Sequence, residues 1–504
     1  SNLRPSLSSD ELGYIIKEME KISNLDYLLI KLKKIANDIM EYNELNIGEG
    51  EKELKILLTT MKDIVHSVSY LQIDTTCEME CDSFVNNIAD GFEEIADFFV
   101  KLADEFSDRE TIFDEYKIDF IEKYGEDREV LLCEVLDNDL GIGAPYSYRY
   151  PPAGRNRKGI NQYEISNKIS DYLWEKYQIA IANKHPLIIE EDILTGNSKD
   201  QRNKKKHPLS LELNFICKME NNQNIFYLGP NIGSTGAGKT FGRFTHLRDS
   251  YRDTCNRISV LEKQNIGEDT IICELVYIPQ KTRLGNVVRN QNNRDYEVVF
   301  YTNGSKDKEH QISIQDIFLG IDNGKFYLKS KSLNKKIKIK TNNMLNILSD
   351  VNIIRFLKEL EQDETVEWSN FVWDRIFGKL SYVPEIRYKN FILCSETWRI
   401  SRSKFTLEKY EEFVKEFKLF RKNHNMSRFV YISDADNRLL LDLDNMYCIK
   451  ILYKTLKKEM EVKLIAQEKG RDFVYDKEGN HYCCEIVVPM CQGRVNDKGE
   501  DKRS

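Results

Sequence analysis

The period of the apolar positions changes several times along the chain, and the changes mark out its elements. After Ser9-Asp10, a plausible cap, Leu12, Ile15, Ile16 and Met19 recur at helical spacing, which predicts helices over 9–45 and 51–69. Tyr70-Leu71-Gln72-Ile73-Asp74 switches to the alternation of a strand. Phe84, Ile88, Phe92, Ile95, Ala96 and Phe99 then form one stripe within a helix predicted over 83–124, and a stripe of that spacing is core. Val130–Leu136 reads as a short strand before the Gly141-Ile142-Gly143-Ala144-Pro145 turn. Beyond 146 the texture shifts. A Pro-, Gly- and Arg-rich loop occupies 146–163 and a polar, basic stretch 195–207. Strand-like runs follow at 209–217, 225–228, 271–278, 296–301, 312–318 and 326–328. Helices return near 351–362 and 406–421, with strands at 391–394 and 429–432. The expected fold is therefore α+β, a multi-lobed mixture with a helix-rich N-terminal part over 1–145 and a mixed body over 146–504.

Composition narrows the class. A chain of 504 residues, 41% hydrophobic, has enough apolar sequence for several cores. No apolar run approaches the roughly 20 residues that span a bilayer. Glu11, Glu18 and Glu20 occupy the place of a signal peptide's basic and apolar regions. Eleven cysteines, an odd number without framework spacing, read as reduced thiols in a cytoplasm. His481, Cys483, Cys484 and Cys491 come nearest to a metal cluster, but adjacent cysteines rarely share one zinc and no Cys-x-x-Cys accompanies them, so no metal is expected.

The net charge of −8 argues against a nucleic-acid partner until it is divided. Residues 1–150 carry 15 basic and 34 acidic side chains, whereas 151–504 carry 59 and 48. An acidic front and a basic body suit a chain with one face toward a polyanion. The basic residues cluster at Arg155-Asn156-Arg157-Lys158, at Arg202 with Lys204–Lys206, from Lys281 to Arg294 and from Lys325 to Lys340. Each cluster alone would be an ordinary solvated surface; together they point to a phosphate backbone.

One motif competes with that reading. Gly233-Ser-Thr-Gly-Ala-Gly-Lys-Thr240 completes the G-x-x-x-x-G-K-[ST] pattern of a phosphate loop, after the apolar run Ile225–Leu228. Lys239 would reach the outer phosphates and Thr240 a magnesium ion. Against this, Gly242 falls within the first turn of the helix that must follow, at a cost of about 1 kcal/mol.

The surrounding residues decide between the two. Leu71-Gln72-Ile73-Asp74, Phe120-Ile121-Glu122-Lys123-Tyr124-Gly125, Glu134-Val135-Leu136-Asp137, Gly141–Tyr146 and Gly242-Arg243-Phe244 resemble the motifs of class I lanthipeptide (lantibiotic) dehydratases. So do Glu274–Pro279 with Arg283 and Asn286, Arg355-Phe356-Leu357, Tyr382–Arg387, Ser395–Trp398, Asp434–Leu439 and Val487-Val488-Pro489. They run in family order over most of the chain. The resemblance implies a domain similar to an acyltransferase, which takes glutamate from glutamyl-tRNA and esterifies Ser and Thr hydroxyls of a precursor peptide. A separate domain then eliminates glutamate to leave dehydroalanine or dehydrobutyrine. Glutamyl-tRNA is a co-substrate, and no other cofactor is implied.

By the same resemblance Arg243 and Asp74 belong to the glutamylation residues, as a guanidinium for a carboxylate or phosphate and a carboxylate that orients a hydroxyl or amine. A structural ion pair for Arg243 and a turn cap for Asp74 are the bland alternatives. Arg283 and Asn286 are candidates for substrate binding. Arg155, Arg157, Lys158 and Lys239 are candidates for contact with tRNA, the first three by charge alone. His246 is near enough in sequence to serve as a base, although a lone His is usually structural. Trp368, Trp373 and Trp398 are expected in cores. The family's first two hundred or so residues and its elimination domain have no counterpart here, so the chain is expected to be the middle of a larger enzyme or one piece of a split one, unable to dehydrate a peptide alone. Implied partners are glutamyl-tRNA, a precursor peptide, the absent segments, a lanthionine cyclase and a transporter, with a homodimer compatible; the setting is cytoplasmic, or peripheral at a membrane through that complex. The rival readings are a P-loop NTPase on Gly233–Thr240, a related aminoacyl-tRNA-dependent peptide ligase, and a non-catalytic scaffold.

Overall fold

A computed structural model describes the chain apart from residues 1–4, 6–9, 47, 82–87, 105–111, 155–166, 191–206, 290, 292, 364–372, 435–436 and 494–504. Four sheets organise the described residues. The first runs Val130–Leu131, Ile317–Asp322, Lys325–Ser330, Lys335–Lys340, Thr270–Tyr277, Tyr296–Phe300, Gln311–Ser313, with the last four strands parallel to one another. The second is built on the antiparallel pair Ser210–Glu220 and Gln223–Ser234, flanked by Glu485–Cys491 and Arg471–Asp472 on one side and by Phe391–Cys394, Ile386–Tyr388 and Leu187–Ile188 on the other. Its hairpin turns at Asn221-Asn222. Both residues have positive φ, the geometry that matches strand twist and that Asn tolerates.

The third sheet is antiparallel throughout, in the order Tyr382–Val383, Thr397–Ser401, Glu461–Ala466, Phe429–Asp434, Asn437–Asp442. It is covered by the helices Tyr410–Asn423 and Met446–Lys458, whose Phe413, Phe417, Ile449 and Leu452 bury against Trp398, Val430 and Leu464. The fourth is a small ribbon of Glu80–Cys81, Val474–Tyr475 and His481–Tyr482.

The N-terminal helices do not pack only with one another. Phe92, Ile95, Phe98 and Phe99 of the helix Ile88–Asp104 share one core with Leu213, Phe215 and Phe226 of the second sheet, and the Phe92 ring lies 5.0 Å from that of Phe226. Phe113, Tyr116 and Phe120 of the helix Ile112–Tyr124 join the core of the first sheet instead. The mixed α/β architecture and helix-rich front are as expected, and the Phe92–Phe99 stripe is core. Trp373 and Trp398 are buried, while Trp368 lies outside the described residues. No helix among the described residues is long and apolar enough to cross a membrane.

Three local expectations need correction. Tyr70–Asp74 alternates like a strand but joins no ladder; without a partner strand its amides gain nothing from extension. Val130–Leu136 pairs for two residues only, then coils into the helical turn Leu132–Val135, because a short apolar run does not fix its own period. The Lys325–Lys340 cluster is less available to a polyanion than its sequence suggests. Lys329 is paired with Glu129 at 2.9 Å, Lys336 with Asp322 at 2.7 Å and Lys340 with buried Glu361 at 2.8 Å. The helices Asn167–Asn183, Asp249–Gln264 and Met446–Lys458 were not legible from periodicity.

Candidate active site

The strand Ser210–Glu220 alternates its side chains between two environments. Leu211, Leu213, Phe215 and Cys217 enter the helix-covered core, while Ser210, Glu212 and Asn214 take the opposite face. All three polar residues are buried. Glu212 is fully enclosed, and its carboxylate accepts from Gly238 N at 2.9 Å, Thr240 N at 2.8 Å and Thr240 Oγ1 at 2.5 Å, with Ser234 Oγ at 3.3 Å. Burial pushes its pKa up, and the Thr240 and Gly238 donors with the Lys239 charge offset that only in part.

This geometry corrects the phosphate-loop reading of Gly233–Thr240. The loop is a nest of backbone N–H groups, but its anion is the protein's own carboxylate, so Gly238 N, Thr240 N and Thr240 Oγ1 are already engaged. Lys239 is buried, with Nζ 3.7 Å from Glu361. At 8% exposure and facing Glu361, it offers little surface to a nucleotide or to the tRNA phosphate expected of it. The α-helix that should open at Lys239 is also missing: a 3-10 turn follows at Gly242–Phe244, and the next α-helix starts at Asp249.

The loop is clamped from below by a buried charge network. Arg294, 3% exposed, donates to Glu262 at 2.7 Å, to Glu274, and to Asn342 Oδ1 at 3.1 Å. Glu262 accepts from Ser210 Oγ at 2.5 Å, and Ser210 Oγ in turn accepts from Ala237 N at 3.1 Å. Burial alone would raise the Glu262 and Glu361 carboxyls. Arg294 next to Glu262, and Lys239 and Lys340 next to Glu361, bring both net below the ordinary carboxylate range.

Arg243 sits on the turn that leaves this loop. Gly242 N donates to Gly238 O at 2.7 Å, and a Cβ at Gly242 would lie 2.6 Å from Asn342 O, so only glycine allows this approach. The Arg243 guanidinium lies 4.3 Å from the centroid of the Phe244 ring, half-buried. Five residues on, Arg248 donates from Nε to Thr76 Oγ1 at 2.5 Å and from Nη2 to Cys77 O at 2.7 Å. That tether draws in the segment carrying Asp74, whose carboxylate is half-buried and accepts from Gln72 Nε2 at 3.0 Å. The Gly242–Phe244 turn also packs against the short helix Gly285–Val288, which carries exposed Asn286 and follows the 3-10 turn bearing exposed Arg283.

Of the predicted residues, Arg243 lies on the 3-10 turn and Asn286 on the short helix packed against it, just after the turn that bears Arg283, while the segment carrying Asp74 is tied to Arg248, five residues beyond Arg243. Arg155, Arg157 and Lys158 lie outside the described residues. His246 is exposed, with Nδ1 3.1 Å from Arg243 O, a contact that supports the turn. Sequence reasoning overlooked Glu212, Arg248, Arg294 and Asn342. For Glu212 a signal existed, since Ser210-Leu-Glu-Leu-Asn-Phe215 alternates polar and apolar residues within a strand. We expect Arg248→Ala to free the Thr76–Cys77 contact, as loss of two charge-assisted hydrogen bonds implies. Hydrogen exchange should show faster amides over 74–81, and unchanged exchange there would dismiss the tether.

The class of the fold follows from comparison. Its match to the tRNA dependent lantibiotic dehydratase MibB from Microbispora sp. 107891 has a TM-score of 0.81 at 20% identity, covering 97% of this chain and 48% of that one. The glutamylation domain of TbtB, from thiomuracin biosynthesis, matches with a TM-score of 0.56 at 13% identity over 91% of this chain and 57% of that one. At such identities the likeness is one of fold. Sequence supplies the family. Residues 1–452 match the model described as lantibiotic dehydratase, N terminus, and the chain belongs to that family. It is 32% identical to the subtilin biosynthesis protein SpaB of Bacillus subtilis over 498 residues, which cover 97% of this chain and 48% of SpaB. It is also 29% identical to the nisin biosynthesis protein NisB of Lactococcus lactis subsp. lactis over 510 residues, 98% of this chain and 49% of NisB. The chain spans about half the length of these relatives.

Proposed function

We propose that this chain carries the glutamyl-transfer step of a lantibiotic dehydratase, moving glutamate from glutamyl-tRNA to Ser and Thr hydroxyls of a precursor peptide. Family membership, together with the fold shared with the tRNA dependent MibB and with the glutamylation domain of TbtB, supports the substrate class. The observation that carries the reading is that Arg248, five residues beyond Arg243, holds the Thr76–Cys77 end of the Asp74 segment, while the Arg243 turn packs against the helix that carries Asn286.

On this reading the peptide Oγ attacks the ester carbon that joins glutamate to the terminal ribose of the tRNA. A new C–O bond forms, the ribosyl ester C–O bond breaks, and the hydroxyl proton ends on the ribose oxygen. Asp74 orients the incoming hydroxyl or the glutamyl amine, and Arg243 grips the glutamyl side-chain carboxylate in a two-pronged fashion. Because the ester is already activated, positioning and charge stabilisation suffice without a nucleophilic side chain. Arg283 and Asn286 line the approach.

The test supplies tRNA charged with labelled glutamate and a peptide rich in Ser and Thr. Label should appear in the peptide as a base-labile ester when the chain acts within the complete enzyme. Label in an amide at a peptide terminus would move the assignment to a tRNA-dependent ligase, and no transfer from any charged tRNA would end it.

A further inference from the structure

We infer that Glu212 is a positioning residue for Arg243: its carboxylate fills the Gly-rich loop in place of a phosphate and thereby sets the turn on which the arginine is presented. This rests on the glutamyl-transfer reading and adds to it a residue that does not touch substrate. The physical chain is short. Glu212 ties Gly238 N, Thr240 N and Thr240 Oγ1 to one point on a strand of the second sheet. Gly238 O receives Gly242 N at 2.7 Å, and Gly242 is pressed against Asn342, which Arg294 and Glu274 hold through its side chain and its amide. Arg243 is the next residue.

With the loop fixed at Glu212 on one side and Asn342 on the other, the Arg243 backbone has little freedom left. Three loop donors, Gly238 N, Thr240 N and Thr240 Oγ1, converge on the one carboxylate. Only an acceptor-only group satisfies them all; an amide would set its own N–H₂ against backbone N–H groups. The resemblance of Gly233–Thr240 to a phosphate loop then has a physical cause. The same need, several N–H groups turned toward one anion, selects glycines whether the anion is a nucleotide or a resident side chain. Gly238, with φ of +91°, supplies the required left-handed turn.

The experiment is a double-mutant cycle in the full chain within the active enzyme, reading single-turnover glutamyl transfer together with tRNA affinity. Glu212→Gln should slow transfer about a hundredfold, the scale of a misplacement near 1 Å, with tRNA affinity within about threefold of wild type. In an Arg243→Ala background the same change should cost less than about threefold, because its effect runs through the arginine. Thr240→Val removes one donor at the edge of the loop and should reproduce a smaller, equally non-additive loss. It serves as the test if Glu212→Gln does not fold. Full additivity in either cycle, or wild-type transfer by Glu212→Gln, overturns the inference and leaves the glutamyl-transfer reading standing. Unimpaired transfer by Arg243→Ala alone also overturns the inference, by removing the residue that Glu212 positions, whereas absence of transfer by the wild-type enzyme removes the reading itself.

Discussion

Arg243→Ala is expected to lower the proposed glutamyl transfer about a thousandfold, or roughly 4 kcal/mol of transition-state stabilisation, while the protein stays folded. The guanidinium is half-buried beside an aromatic ring, and its backbone is held by a glycine that tolerates no side chain. That geometry leaves the planar fork pre-organised, so little entropy is lost when it takes a carboxylate. Arg243→Lys should recover little, because a point charge cannot make the paired contact and lacks the flat face that lies over Phe244. Few folding contacts are spent on the side chain, so the melting temperature should move little. Single-turnover transfer from labelled glutamyl-tRNA is the measurement; a rate within about threefold of wild type would remove Arg243 from the reaction.

How much of this was legible in the sequence depends on the range of the interaction. The helix Tyr410–Asn423, the strands Phe391–Cys394 and Phe429–Asp434 and the Phe92–Phe99 stripe follow from local period, and the structure keeps them. Asp74, Arg243, Arg283 and Asn286 came from family motifs, and no local rule would have singled them out. The filling of the Gly-rich loop by Glu212 could not be read, because the carboxylate stands 26 residues before Gly238 and charge composition does not say which side chains meet. Arg294 was counted within a basic surface cluster, yet it is among the most buried cations of the chain. A linear tally of Lys and Arg treats both environments alike, whereas burial reverses their meaning: an exposed cation attracts a partner and a buried one must already have it. Arg248 was likewise invisible, its contact with Thr76 bridging 172 residues.

Arg294→Met should be the most destabilising of the substitutions considered, by about 3–5 kcal/mol, since it strands buried carboxylates without their cation. Glu262 is fully enclosed, Glu274 2% exposed, and both bond to the Arg294 guanidinium. In the wild-type chain the Glu262 carboxyl lies below its ordinary range, so its stabilisation is present above the unfolded value of about 4.3 and fades only as pH falls through the depressed folded value. Removing Arg294 reverses the sign. Desolvation then dominates, the carboxyl rises, and the folded state binds protons more readily than the unfolded one, so stability should increase as pH is lowered from 8 toward 5. Replacing all three members, Glu262→Gln, Glu274→Leu and Arg294→Met, removes the stranded charge and should return part of the loss. Chemical denaturation followed at pH 8 and pH 5 reads both effects. A midpoint for Arg294→Met that matches wild type at pH 8, or that falls with pH in the same way, would mean that water reaches these carboxylates and that the network does not brace the loop beneath Arg243.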